Sequence, residues 1–173
     1  IARHGQPPQR PVKRQVLIVL DHSYSMEAPE GGVTRRARAQ VEALRLLDSL
    51  DGVDEVNVLA VGHDVAACFS TWSLNHAAAQ TFIKNTGAGH ERADFHKAME
   101  LAASHLQGVR GRPEVYVISD FQRTNWADAN FAGLPKNVRL MLVNICGEGK
   151  AVPGNPSITQ AEITSSAVLA GGE

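Results

Sequence analysis

The stretch Gln15-Val-Leu-Ile-Val-Leu20-Asp21-His22-Ser23-Tyr24-Ser25-Met26 decides how the rest of the chain is read. Residues 16–20 form an unbroken β-branched and aliphatic run, and a polar cluster follows it over 21–25. A run without alternation predicts a strand buried on both faces, which is the pattern of an inner strand in a parallel sheet. Downstream, Val33, Ala37, Val41, Leu44 and Leu47 recur every three or four residues with arginines between them, so an amphipathic helix is expected over 33–50. Residues 56–61 and 65–69 read as strands around Gly62-His63-Asp64, a hairpin whose second strand lies at the sheet edge. Helices follow over 73–84 and 94–107, the latter with Asp94 as N-cap and Phe95, Ala98, Met99, Ala102 and Leu106 on one face. Strands at 115–119 and 138–144 enclose a short helix at 126–131. This alternation predicts a doubly wound, Rossmann-like α/β fold. Its sheet is mostly parallel with one antiparallel edge strand, and helices cover both faces.

The composition agrees with one globular domain: 173 residues, 43% hydrophobic, 20% charged, and a formal charge of −1. A near-neutral chain has no net field to draw it onto nucleic acid or an anionic membrane, so neither is expected as a partner of this fragment. No apolar run exceeds five residues, against the roughly 20 of a spanning helix. Residues 1–14 carry three prolines and four cationic side chains and read as a linker. The domain is expected over 15–146. Residues 147–173 read as a C-terminal extension whose strand at 158–164 is either a last edge strand or the start of a following domain. The chain begins with Ile1, which points to a processed chain or a longer parent. Cys68 and Cys146 lie in strand-like stretches and read as buried free thiols.

In open α/β sheets, ligands bind beyond the carboxyl ends of the strands, where successive connections diverge. Two loops of this chain meet there. The first strand runs into Asp21-His22-Ser23-Tyr24-Ser25, and the strand over 115–119 runs into Ser119-Asp120. A carboxylate with hydroxyls two and four residues later points three oxygens the same way. All-oxygen, partly hydrated coordination is what Mg²⁺ takes, and it keeps some of its waters. Direct and water-bridged ligation therefore both suit this set.

Asp21-x-Ser23-x-Ser25-Met26 after a buried strand, with Ile118-Ser119-Asp120 later, resembles the metal-ion-dependent adhesion site of von Willebrand factor A domains. The run Ile118-Ser-Asp-Phe-Gln122 with Trp126 is similar to the A domains of bacterial aerotolerance (BatA-like) membrane proteins. The resemblance implies that Ser23 and Ser25 coordinate Mg²⁺, or Mn²⁺ or Ca²⁺ in its place, directly. Asp21 and Asp120 would hold it directly or through water, leaving a position open for an Asp or Glu of a protein partner. It implies a non-catalytic binding module in a membrane-anchored, extracytoplasmic setting. The family's remaining ligand is a threonine before the third helix, and Ala93 stands at that place, so the motif is degenerate. Asp94 is a candidate to compensate through a water, with helix capping as its ordinary role. His22, Tyr24, Arg92 and Gln122 are the expected partner-contacting residues of the crest.

Three other readings compete. The domain could be a metal-free structural scaffold of a membrane-anchored protein. It could be a hydrolase resembling the haloacid-dehalogenase-like enzymes, whose nucleophilic aspartate also ends the first strand. The acid/base aspartate those enzymes carry two residues later is here Ser23, which argues against enzymatic function. The seven histidines lack zinc-site spacing. Arg35, Arg36 and Arg38 at the start of the first helix read as a solvated face, Trp126 and Phe131 as packing, and Asn125 as exposed.

Overall fold

Burial of both faces of the first strand organises the molecule. The computed structural model describes residues 13–146. In chain order its elements are β1 (Gln15–Asp21), the two-residue strands β2 (Pro29–Glu30) and β3 (Val33–Thr34), α1 (Arg35–Asp48), β4 (Glu55–Val61), β5 (Val65–Ala67), α2 (His76–Asn85), α3 (Phe95–Leu106), β6 (Glu114–Ser119), α4 (Arg123–Trp126) and β7 (Arg139–Asn144). The main sheet has the order β5-β4-β1-β6-β7. β1 pairs in parallel with both β4 and β6, β6 pairs in parallel with β7, and only β5 runs antiparallel, against β4. The doubly wound sheet with one antiparallel edge strand is therefore as expected.

Successive side chains of β1 serve two separate cores. Val16, Ile18 and Leu20 pack with Ala39, Ala43 and Leu47 of α1 and Ala79 and Ile83 of α2. Leu17 and Val19 pack on the opposite face with Phe95, Ala98, Met99, Ala102 and Leu106 of α3. All five β1 aliphatics are at most 1% exposed. Burying such a side chain is worth about 1.5–3 kcal/mol, so β1 alone carries a large share of the hydrophobic stabilisation.

The helices start where side chains can cap them. Thr34 Oγ1 accepts from Ala37 N at 3.1 Å, Asn75 Oδ1 from Ala78 N at 3.0 Å, and Asp94 Oδ1 from Lys97 N at 3.0 Å. The second helix consequently begins later than residue 73, because Ser73 is engaged in a backbone bridge with Val56. The short helix also differs from expectation, covering Arg123–Trp126 rather than 126–131. Between Met26 and α1 the chain forms an unexpected small hairpin, β2 and β3, turning through Gly31 and Gly32 at φ +62° and +83°. The folded region takes in the last two residues of the expected linker: Arg14 N donates to Asp54 and its guanidinium meets Glu114 at 2.7 Å, while Lys13 pairs with Glu55. Both cysteines are free but only half-buried, because each lies just past the end of an edge strand. The strand expected at 158–164 lies outside the described residues.

Asn57, fully buried within β4, explains where the edge strand stops. Its Nδ2 donates to the carbonyls of Phe69 (2.9 Å) and Thr71 (3.3 Å), and its Oδ1 accepts from Phe69 N (3.1 Å) and Val58 N (2.8 Å). One amide thus replaces the ladder that β5 no longer supplies. Asn57→Ala strands several of these groups, and a loss of about 2–3 kcal/mol is expected. Urea denaturation checks this, and a change below about 0.5 kcal/mol would contradict the assigned role.

Candidate functional site

β1 is followed by α1 and β4 on one side and is flanked by β6 on the other, so the chain diverges beyond the carboxyl ends of β1 and β6. The expected crest lies there. Asp21 ends β1 and is 1% exposed. Its Oδ1 accepts from Ser23 N at 2.8 Å, and its Oδ2 accepts from Ser119 Oγ at 2.5 Å. Burial pushes the Asp21 carboxyl above the ordinary carboxylate range, against the hydrogen bonds from Ser119 and Ser23 that pull it down. The neighbouring Asp120 charge pushes it up further.

Ser119 links the two loops. Besides donating to Asp21, its Oγ accepts from Phe121 N at 3.0 Å and from Trp126 Nε1 at 3.1 Å. Phe121 is held at φ +51°, a conformation bulky residues rarely adopt. Trp126 stacks on Phe95 with ring centroids 3.8 Å apart and lies against Phe121 and Phe131, so its packing role is as expected.

The two hydroxyls are adjacent: Ser23 Oγ and Ser25 Oγ are 3.0 Å apart. An octahedral Mg²⁺ holds oxygens at about 2.0–2.1 Å, which sets neighbouring ligands about 3.0 Å from one another. The serine pair thus has the spacing of one edge of such an octahedron. With two carboxylates nearby, the donor set fits a hard divalent cation. The Asp120 side chain is fully buried and is paired with Arg35, whose Nη1 lies 3.0 Å from Oδ2. Gln122 N donates to Asp120 Oδ1 at 3.3 Å.

Several side chains sit differently from expectation. Arg35, Arg36 and Arg38 are not a solvated face: Arg35 reaches Asp120, Arg36 pairs with Glu27 at 2.7 Å, and Arg38 donates to the Glu30 carbonyl at 2.6 Å. Asp120, Glu27 and Glu30 of the β2–β3 hairpin together supply these partners, which explains why three cations are tolerated at a helix start. Asn125 is not exposed. It is 7% accessible, and its Nδ2 donates to Ser23 Oγ at 3.0 Å and Ser25 Oγ at 3.4 Å. Nothing in its local pattern signalled this, because the contact spans a hundred residues and depends on where Trp126 anchors α4.

Ala93, 7% exposed, packs into the α3-side core. Asp94 caps α3, and the Lys97 peptide N–H holds its carboxyl below the ordinary range. Thr86 Oγ1 donates to the Phe82 carbonyl at 3.1 Å. Of the expected contact residues, Tyr24 is 67% exposed and Arg92 and Gln122 are exposed, whereas His22 is half-buried with its Nε2 enclosed and unpartnered. The crest loops are tied by main-chain bonds, Tyr24 N to Glu91 O and His22 N to Val61 O at 2.8 Å each, and by Arg92 donating to the Thr124 carbonyl. Gly89 lies directly on the His22 carbonyl, where a Cβ would approach to 2.1 Å.

The model of the von Willebrand factor type A domain matches residues 16–122, more than half of the chain, and spans both crest motifs. The chain belongs to the von Willebrand factor A family. Among solved structures, it is similar to BatB from Bacteroides thetaiotaomicron (TM-score 0.63, 22% identity, covering 76% of this chain and 66% of that one). An aerotolerance-related membrane protein from Bacteroides fragilis gives a TM-score of 0.57 at 20% identity, with 76% and 67% of the chains covered. The vWF domain of the type V pili tip protein Mfa5 from Porphyromonas gingivalis gives 0.54 at 15%, covering 63% and 38%. The chain therefore spans 66% of the length of BatB and much less of the pilus protein. A comparison with curated proteins finds no match. At these identities the structures establish the A-domain fold, and the family membership rests on the sequence model. Among the described residues, no helix is long and apolar enough to cross a membrane.

Ser119→Ala removes one donor to a buried carboxylate and the acceptor for the Trp126 indole. A destabilisation of about 2–4 kcal/mol is expected, given the cost of unpaired buried polar groups. In a double-mutant cycle with Trp126→Phe by chemical denaturation, the two losses should be less than additive, because both remove the same indole bond.

Proposed function

We propose that this A domain is a non-catalytic protein-binding module whose crest engages an Asp or Glu of a partner through Mg²⁺, or Mn²⁺ or Ca²⁺ in its place. The observation that carries the reading is the 3.0 Å edge between Ser23 Oγ and Ser25 Oγ, set beside two buried carboxylates. Ser23 and Ser25 would hold the ion directly, and Asp21 and Asp120 directly or through water. The bound ion supplies a coordination position that a partner's carboxylate can take.

The local charge favours that partner. Asp21, Asp120 and Arg35 together carry one net negative charge, and a divalent cation converts the cluster to one net positive charge. The pull on an acidic side chain is then confined to the crest, since the whole chain is close to neutral. Tyr24, Arg92 and Gln122 form the accessible rim, and Asp94 stays with its helix. Non-enzymatic function is supported by Asp21, both of whose oxygens accept hydrogen bonds instead of facing a substrate. The pilus-tip and aerotolerance-related membrane proteins that share this fold support an interaction role and a membrane-anchored parent, and the extracytoplasmic side is what the family resemblance implies.

A second reading, a metal-free structural scaffold, is favoured by a specific observation: Arg35 already neutralises Asp120, and Asn125 already satisfies both serines. Titration of Mg²⁺ and of Mn²⁺ into the domain by calorimetry separates the two. Saturable binding that Ser23→Ala/Ser25→Ala weakens at least tenfold is the expected result. The absence of binding in the unsubstituted domain transfers the crest to the scaffold reading. Phosphatase activity that Asp21→Asn abolishes would overturn both.

A further inference from the structure

The crest lacks the neutral oxygen that a threonine at position 93 would provide, and Ala93 is turned into the core. Another neutral side chain meets the same pair of serines. The amide nitrogen of Asn125 lies 3.0 Å from Ser23 Oγ and 3.4 Å from Ser25 Oγ, and those two oxygens lie 3.0 Å from each other. Three polar atoms with mutual separations near 3.0 Å have the shape of one triangular face of an Mg²⁺ octahedron, whose edges are about 3.0 Å.

We propose that Asn125 is a metal ligand of this crest, its carboxamide oxygen supplying a neutral donor in a site where position 93 offers none. The inference rests on the metal-dependent reading above and names a residue for it. As it stands the amide presents Nδ2 to both hydroxyls. A half-turn of the carboxamide brings Oδ1 to the same vertex with no backbone movement, because the two ends of an amide are nearly equal in size.

The placement of Asn125 is built. The residue is 7% exposed, its own N–H is bonded to the Gln122 carbonyl, and the next side chain, Trp126, is pinned by stacking on Phe95 and by its bond to Ser119. The same Ser119 holds Asp21. Residues from the two crest loops are thus positioned by one hydroxyl, and the amide enters the site with little freedom left to lose.

Calorimetric titration of Mg²⁺ and Mn²⁺ into the unsubstituted domain, Asn125→Ala and Asn125→Asp tests this. The expected result is a loss of at least tenfold in affinity for Asn125→Ala and equal or tighter binding for Asn125→Asp. Ala93→Thr added to Asn125→Ala should recover most of the loss. In the unsubstituted domain, the Asn125 side-chain NH₂ signals in a ¹⁵N-correlated NMR spectrum should move on Mg²⁺ addition with the same midpoint as the heat. Should Asn125→Ala fail to fold, the aspartate variant and the NH₂ signals decide. Equal or tighter binding by Asn125→Ala, weaker binding by Asn125→Asp, or NH₂ signals that stay fixed while heat is released overturns the ligand assignment alone and leaves the serine pair as the site. Neither heat nor shift in the unsubstituted domain overturns this inference together with the metal-dependent reading.

Discussion

The hydrogen bond from Ser119 to the buried carboxylate of Asp21 is the constraint on which the crest depends. It closes the gap between the ends of β1 and β6, the two strands where the chain diverges. Asp21 turns the other oxygen back onto Ser23 N, which sets the direction of the first loop. Ser119 accepts from Phe121 N and the Trp126 indole, which sets the direction of the second. Side chains remote in sequence are brought together because each loop is referenced to the same pair of atoms. A buried carboxylate held only by neutral donors is costly in isolation. Here the cost is carried by the hydrophobic strand beneath it, whose five aliphatic residues are packed on both faces.

Most of the fold was legible because it follows from burial periodicity. The aliphatic run 16–20 has no polar face, so it belongs inside a sheet. The 33–50 segment has one, so it covers that sheet. The placement of Asp21, Ser23, Ser25 and Asp120 at the crest was legible too, since the first three are local to one turn and Asp120 follows a recognisable strand. What escaped the sequence was of another kind. Asn125, Arg35 and Asn57 act through contacts between segments, and their roles come from where neighbouring anchors put them. A polar residue after a strand looks solvated unless one knows that the neighbouring indole, anchored on Phe95 and Ser119, draws its backbone inward. The arginines at the start of α1 looked like a face opposed to the helix dipole. Their acidic partners come from three places, Asp120 after β6, Glu27 before the hairpin and Glu30 within it, and none of these gives a periodic signal.

Charge at the crest is arranged in two groups. One holds Asp21 among neutral donors, and the other pairs Asp120 with Arg35 and Glu27 with Arg36. Such pairing offsets the charge of Asp120 and Glu27 in part, and the Asp120 charge still pushes the Asp21 carboxyl up. It also divides the labour among the oxygens: the hydroxyls and the amide remain neutral and mutually bonded, while the carboxylates set the field around them. A neutral cluster inside a charged frame can exchange hydrogen-bond partners at small electrostatic cost, because no charge is left uncovered when it does so.

The position of β1 also has a mechanical consequence. The described chain enters the sheet at the base, through Arg14 and Gln15, and leaves it at the crest, after Asn144 of β7. β6 lies between those two strands, parallel to both. Tension applied through the two ends would therefore slide β1 and β7 lengthwise in opposite directions past β6. The backbone bonds of both interfaces would bear that shear together, instead of opening one after another like a zipper. A domain with this topology can transmit force between its base and its crest while keeping the carboxyl ends of β1 and β6 in register.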